Sequence, residues 1–267
     1  MPLLPGRSLL AALALALCGS VLPNTSGAES AFVMSPPLEW GAVPAQAFDP
    51  KGRALPLARL ANVRRPNGEV EIRFEAGEPG GAQMRASALL EPVGDGRGLR
   101  LVLQRSASTT PEGEALLAME VDHRAQRARC YGSGGRLAGE IDLGPVDRVV
   151  NVPMHLFFQP LVRGEAERLG FEFFLCRNGA RRLDFEAWVA STDDPRGVRV
   201  GYAPDFGVAS LVARGFIPDL AFWFDPRAPH LWRGHRLPLY TDGPEVTVLR
   251  EPSPEARLDR VEPDYRD

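Results

Sequence analysis

From Glu69 onward the chain alternates apolar and polar residues with a period of two. Val70, Ile72 and Phe74 fall on one side, and Glu69, Glu71, Arg73 and Glu75 on the other. That is the pattern of a strand with one face buried. It returns in Leu99, Leu101 and Leu103, in Leu117, Met119 and Val121, and in Val198, Val200 and Tyr202. Turn-forming clusters separate the runs: Pro79-Gly80-Gly81, Gly94-Asp95-Gly96, Ser133-Gly134-Gly135, and Asp193 to Gly197. Strands at this spacing, joined by short turns, predict an antiparallel sheet and exclude a repeating βαβ fold. The expected class is mainly β: one large curved antiparallel sheet or partly open barrel, with one short helix packed on it. Only Asn151 to Gly164 breaks the strand pattern. Its Val152-to-Leu161 run is too apolar for an exposed loop, Pro153 suits a helix start, and the helix should end near Pro160.

One hairpin can be read to its register. Phe171, Phe173 and Leu175 alternate, and after Asn178-Gly179 so do Leu183, Phe185, Ala187 and Val189. A two-residue loop would set Phe173 against Asp184. A three-residue loop with a glycine bulge sets Phe173 against Leu183 or Phe185, and the apolar faces coincide. A slip of one residue turns every side chain over, so the second register is expected. Cys176 then lies on the opposite face, with Phe174 and Trp188.

The rest of the chain divides by composition. Residues 1–28 read as a signal peptide: Arg7 near the start, an apolar run from Leu9 to Leu17, and Ser26-Gly27-Ala28 as the cleavage pattern. Cys18 ends the apolar run, but Leu17 is too large for a lipidation signal. The mature chain is expected to begin at Glu29, exported to the periplasm or beyond, with no transmembrane span. Residues 29–68 carry Pro36, Pro37, Pro44, Pro50, Pro56 and Pro66 and read as an irregular Pro/Ala-rich arm. The antiparallel domain occupies 69–250, and 251–267 is a charged, flexible tail. In an oxidising compartment Cys130 and Cys176 remain as an even pair, and a disulfide between them is expected.

The chemistry is thin. Basic and acidic residues number 31 and 34, for a net charge of −3, which gives no excess to hold nucleic acid. No hydrolase, zinc-protease or nucleotide-loop motif occurs. His155 lies in an apolar run and reads as a hydrogen-bonded core histidine, whereas His123, beside Arg124, reads as part of a solvated turn. The densest stretch is Phe216 to Tyr240. There Phe222 and Phe224 would wall a ligand pocket, with Trp232, Arg233, His235 and Tyr240 at its mouth, held by Pro226, Pro229 and Pro238. Asp225, His230 and His235 supply a donor mix that zinc or iron accepts, although not at helical spacing. No cofactor is expected.

The leader, the consecutive strands, the short apolar helix midway and the closing Gly243-to-Arg250 strand resemble exported bacterial β-barrel-like domains of unknown function. They are also similar to the half-barrels that carry lipoproteins and lipids across the periplasm. The resemblance covers about residues 69–250, is architectural, and transfers no functional residue. It implies binding of a hydrophobic ligand without catalysis. Three functions follow in order: a periplasmic carrier of an apolar or amphipathic ligand such as a lipid, a non-catalytic structural or interaction module of the envelope, and a metal-assisted hydrolase.

Overall fold

The computed structural model describes residues 32–94, 97–144, 147–177, 179–205, 220–239 and 243–251. The expected signal peptide, Tyr240 and nearly all of the expected tail lie outside the described residues. Strand makes up 60% of the described residues, in one large antiparallel sheet that is not closed into a barrel. In chain order the strands are β1 (Val33–Met34), β2 (Gly41–Phe48), β3 (Ala54–Leu55), β4 (Leu57–Arg64), β5 (Val70–Gly77), β6 (Gln83–Val93), β7 (Gly98–Thr109) and β8 (Ala115–Asp122). They continue with β9 (Arg127–Tyr131), β10 (Leu137–Asp142), β11 (Arg168–Leu175), β12 (Arg181–Asp194), β13 (Gly197–Pro204), β14 (Ala221–Phe224), β15 (Trp232–Pro238) and β16 (Glu245–Arg250).

Two meanders make the sheet. One runs from β4 to β10 and the other from β11 to β16, and β2 joins them by pairing with both β4 and β16. The edge strands, β10 and β11, are therefore neighbours in sequence but not in the hydrogen-bonded ladder. The β11–β12 hairpin takes the expected register, with Phe173 opposite Leu183 and Phe171 opposite Phe185, and Gly179 in the left-handed region at φ 102°.

The proline-rich arm is a point of correction, because β2, β3 and β4 lie inside residues 29–68. The three prolines within this hairpin sit where the chain tolerates them, and Pro50 falls in the turn between β2 and β3. Pro44 ends the stretch of β2 paired with β4, and Pro56 falls between β3 and β4, where the pairing shifts by one residue: Pro44 opposes Arg59, but Ala47 opposes Leu55.

The helix is nine residues long, two turns α1 (Met154–Phe157) and α2 (Gln159–Val162) meeting at Phe158. Pro153 caps it as expected. It does not stop at Pro160, which lies in the first turn of α2 where its missing N–H removes no helical bond. The helix packs against the concave side of the sheet. Phe158 is fully buried, with ring centroids 5.3 Å from Phe222 and 5.5 Å from Tyr202. Phe157 stands 5.2 Å from Phe171 and 4.9 Å from Phe32. Ile72, Leu90, Val200, Phe224 and Val248 complete this main core.

A second, smaller core explains why the sheet stays open. Ile72, Ala88, Gln104, Val121 and Ala128 lie opposite one another across β5 to β9 and so share the concave face. Val121, Ala128, Met119 and Cys130 from that face pack on Phe174 and Cys176, which project from the back of β11, opposite Phe171 and Phe173. One end of the sheet thus overlaps the other instead of pairing with it. Cys130 and Cys176 join the overlap, with sulfurs 2.07 Å apart and Cα atoms 5.4 Å apart. A Cβ on Gly139 of β10 would come within 2.8 Å of the Ala180 nitrogen, so the close approach needs glycine there.

Candidate functional site

The stretch singled out in the sequence forms β14, a tight corner and β15. All four residues of β14 are buried. Phe222 and Phe224 face the main core, while Trp223 turns to the other face, where the Arg196 guanidinium lies 4.2 Å from its ring. Phe222 pairs with His235 and Trp223 with Gly234, but Phe224 pairs with Trp232. The extra residue in β15 is Arg233. This bulge divides the expected rim: Trp232 and His235 both turn inward and are 5% exposed, whereas Arg233 stays outside, its Nε 3.5 Å from an Asp225 carboxyl oxygen. Gly234 allows this, because a Cβ there would stand 2.5 Å from the Val248 carbonyl.

The three residues with a metal-binding mix do not converge. Among the described residues no group of three or more His, Cys, Asp and Glu is placed to hold a metal ion. The Asp225 carboxylate accepts the Arg227 backbone N–H at 2.9 Å. Burial opposes its ionisation, but that bond and the guanidinium groups of Arg233 and Arg227 outweigh it and hold the carboxyl below its usual range. His230, at φ 61°, donates from Nδ1 to the Asp225 backbone carbonyl at 3.0 Å. His235 lies within the core, 4.8 Å from Phe74 and 5.1 Å from Phe222 by ring centroids.

The interior is filled around these residues. Beside Trp232 is a cleft of about 20 Å³ beneath the strap Pro37–Glu39. Its walls are Val43 of β2, Leu60 and Asn62 of β4, His155, Leu156 and Gln159 of the helix, and Leu231 and Trp232. Most of the wall therefore comes from the N-terminal arm and the helix, with only two residues from 216–240. Asn62, Gln159 and Trp232 are about 5% exposed or less. In each a buried polar atom lacks a partner: Asn62 Oδ1, Gln159 Oε1 and Trp232 Nε1. The same holds for His155 Nε2, on the cleft wall, and for His235 Nε2, whose ring centroid lies 5.5 Å from that of Trp232. Burial pushes the His155 imidazole down to about 4. Burial, reinforced by a charge on His155, pushes His235 down to about 3. Both rings are uncharged at neutral pH.

His155 therefore differs from the hydrogen-bonded core histidine expected of it. His123 differs too. It is not a solvated turn residue: its side chain is 8% exposed, its Nδ1 bonds the Asp147 carboxylate, and its Nε2 lies 2.7 Å from Gln104 Nε2. Two larger hollows, each of about 470 Å³, lie elsewhere. One is lined by Arg85, Arg105, Glu120 and Tyr131, and the other by Ile141, Glu172, Arg182 and Asp184. Neither includes a residue that the sequence offered for a ligand or metal site. Asn62 and Gln159 were not anticipated. The available signal was a glutamine inside the apolar Leu156–Leu161 run; Asn62 had none.

No family model matches the chain, and neither does any curated protein or solved structure. No helix among the described residues is long and apolar enough to cross a membrane.

Proposed function

We propose that this chain is an exported, non-catalytic module of the bacterial cell envelope, with the curled sheet as a rigid scaffold that acts through its surface. The observation that supports this reading is the occupancy of the concave side. The aromatic residues that would line a lipid cavity are instead packed on the protein's own helix, Phe158 against Phe222 and Tyr202, and Phe157 against Phe171. A carrier with a preformed site keeps a cavity of several hundred Å³; the cleft beside Trp232 is far smaller, and the two hollows of about 470 Å³ are lined by neither Phe222 nor Phe224. Native mass spectrometry of the protein exported and purified without detergent tests this. The expected mass is that of a chain beginning at Glu29 with no apolar molecule attached. A stoichiometric lipid-sized adduct would overturn it.

That adduct would favour a second reading, carriage of an amphipathic ligand, which one observation supports independently. Buried polar atoms are nearly always paired in folded proteins, and one in each of Asn62, Gln159, Trp232 and His155 is not. Under this reading the helix and the strap part to admit the ligand beside Trp232, with Phe222 and Phe224 as the apolar wall.

A further inference from the structure

The cleft's two amides have fixed roles. Asn62 Nδ2 donates to the Glu39 carbonyl at 3.0 Å, and Gln159 Nε2 donates to the His230 carbonyl at 3.1 Å. These bonds orient both amides and leave their carbonyl oxygens as acceptors without a donor. The Trp232 indole N–H is a donor without an acceptor. A partner for this set must donate and accept at once. A carboxylate cannot donate to the amide oxygens, and a phosphate, though it can keep a P–OH donor, brings a charge that no Lys or Arg on the cleft wall offsets. A cation cannot accept from the indole, and no free carboxylate offsets its burial, because both Glu39 oxygens are taken by Arg250 at 2.5 and 2.6 Å. A hydroxyl satisfies both demands, and a volume of about 20 Å³ admits a group of about its size.

We propose that the cleft under the Pro37–Glu39 strap is a binding seat for the hydroxyl of an uncharged alcohol-type ligand, which donates to the amide oxygen of Gln159 or Asn62 and accepts from Trp232 Nε1. The seat deepens the ligand-binding reading above by naming the head group. The ligand's apolar part leaves past the strap, where Leu38 is 41% exposed.

The test uses the full, disulfide-bonded protein labelled with ¹⁵N and three probes of equal chain length: 1-hexanol, hexanoate and hexylammonium. The Trp232 indole signal is assigned by its disappearance in Trp232→Phe. Hexanol should shift that signal saturably, and the two ions should leave it in place. Gln159→Met should weaken the response at least tenfold with the remaining spectrum unchanged. Asn62→Asp, which keeps an acceptor but adds charge, is the second variant should Gln159→Met disturb the fold, and it should also lose the response. The proposal fails if hexanol gives no saturable shift, if either ion shifts the signal equally, or if both variants respond as the parent does. A saturable hexanol response with no co-purified lipid keeps the seat and discards carriage; a bound lipid with no hexanol response does the reverse.

Discussion

Two buried polar clusters in this molecule carry the same kinds of side chain and are treated in opposite ways. At the seam, Gln104 is fully buried and its bonding capacity is used. Its Oε1 accepts the backbone N–H groups of Asn151 and Val152, and its Nε2 donates to the Val149 carbonyl and faces His123 Nε2. That contact makes Nε2 of His123 the acceptor, so its Nδ1 carries the proton toward Asp147. The network ties β7 to the 147–152 segment, and that segment in turn bonds β11 through Val150 and Glu172. Under the strap, Gln159, Asn62 and Trp232 are equally buried and incompletely paired. Each unpaired group costs about 1–3 kcal/mol. The proposed hydroxyl seat accounts for the open groups of the second cluster, where local packing leaves donors and acceptors unmatched.

The largest expected effect lies at the seam. Cys130 and Cys176 are 46 residues apart, and cross-linking a loop of that length stabilises by about 4 kcal/mol in the chain-entropy model. Reduction, or Cys130→Ala with Cys176→Ala, should lower the urea midpoint by that free energy and release the overlapped edges first. Hydrogen exchange should then quicken in β9–β11 while β13–β16 stay protected. Uniform exchange across the sheet would show that the overlap is not a separate unit. Next comes Gln104→Leu, close in volume but unable to bond. It leaves the Asn151 and Val152 N–H groups and the Val149 carbonyl unpaired, so a loss of about 3 kcal/mol is expected in the same titration. A loss below about 1 kcal/mol would show that the seam does not depend on this network.

How much of this was legible in the sequence differs between the same two regions. Alternation and parity predicted the sheet and a register setting Phe173 against Leu183 or Phe185, of which Leu183 is the partner found, because a one-residue slip there would have buried Asp184. The hairpin of β2 with β3 and β4 was hidden by Pro44 and Pro56, since composition cannot show that one ends a pairing stretch and the other sits at a register shift. The bulge at Arg233 was equally silent. Strict alternation would turn Arg233 and His235 to one side, and one inserted residue replaces Arg233 with Trp232 on the inside. The cleft was the least legible. Asn62 joins Gln159 only because the sheet curls and the strap crosses it, and no local pattern encodes a contact between residues so far apart in the chain.

The smallest expected effect separates the clusters most sharply, because its sign differs. His235→Phe keeps a ring between Phe74 and Phe222 and removes an unpaired nitrogen, so it should stabilise the protein by about 1 kcal/mol at pH 7. Gln104→Leu, also polar to apolar, should destabilise it. The acid limb strengthens the contrast. Histidine in the unfolded chain titrates near its ordinary value of about 6.5, whereas folded His235 is held at about 3 and His155 at about 4. Between these values the unfolded chain binds protons that the folded chain excludes. Stability is therefore complete above pH 6.5 and falls as the pH drops toward the folded values. Each histidine contributes a slope that rises to about 1.4 kcal/mol per pH unit once the pH is well below 6.5. In urea titrations from pH 7 to pH 5, His235→Phe should lose about half of the parent's acid sensitivity, and its stabilisation should grow as the pH falls. A variant less stable than the parent at pH 7, with the acid slope unchanged, would mean that the His235 imidazole is already satisfied in the folded protein, and the difference between the two clusters would be lost at that residue.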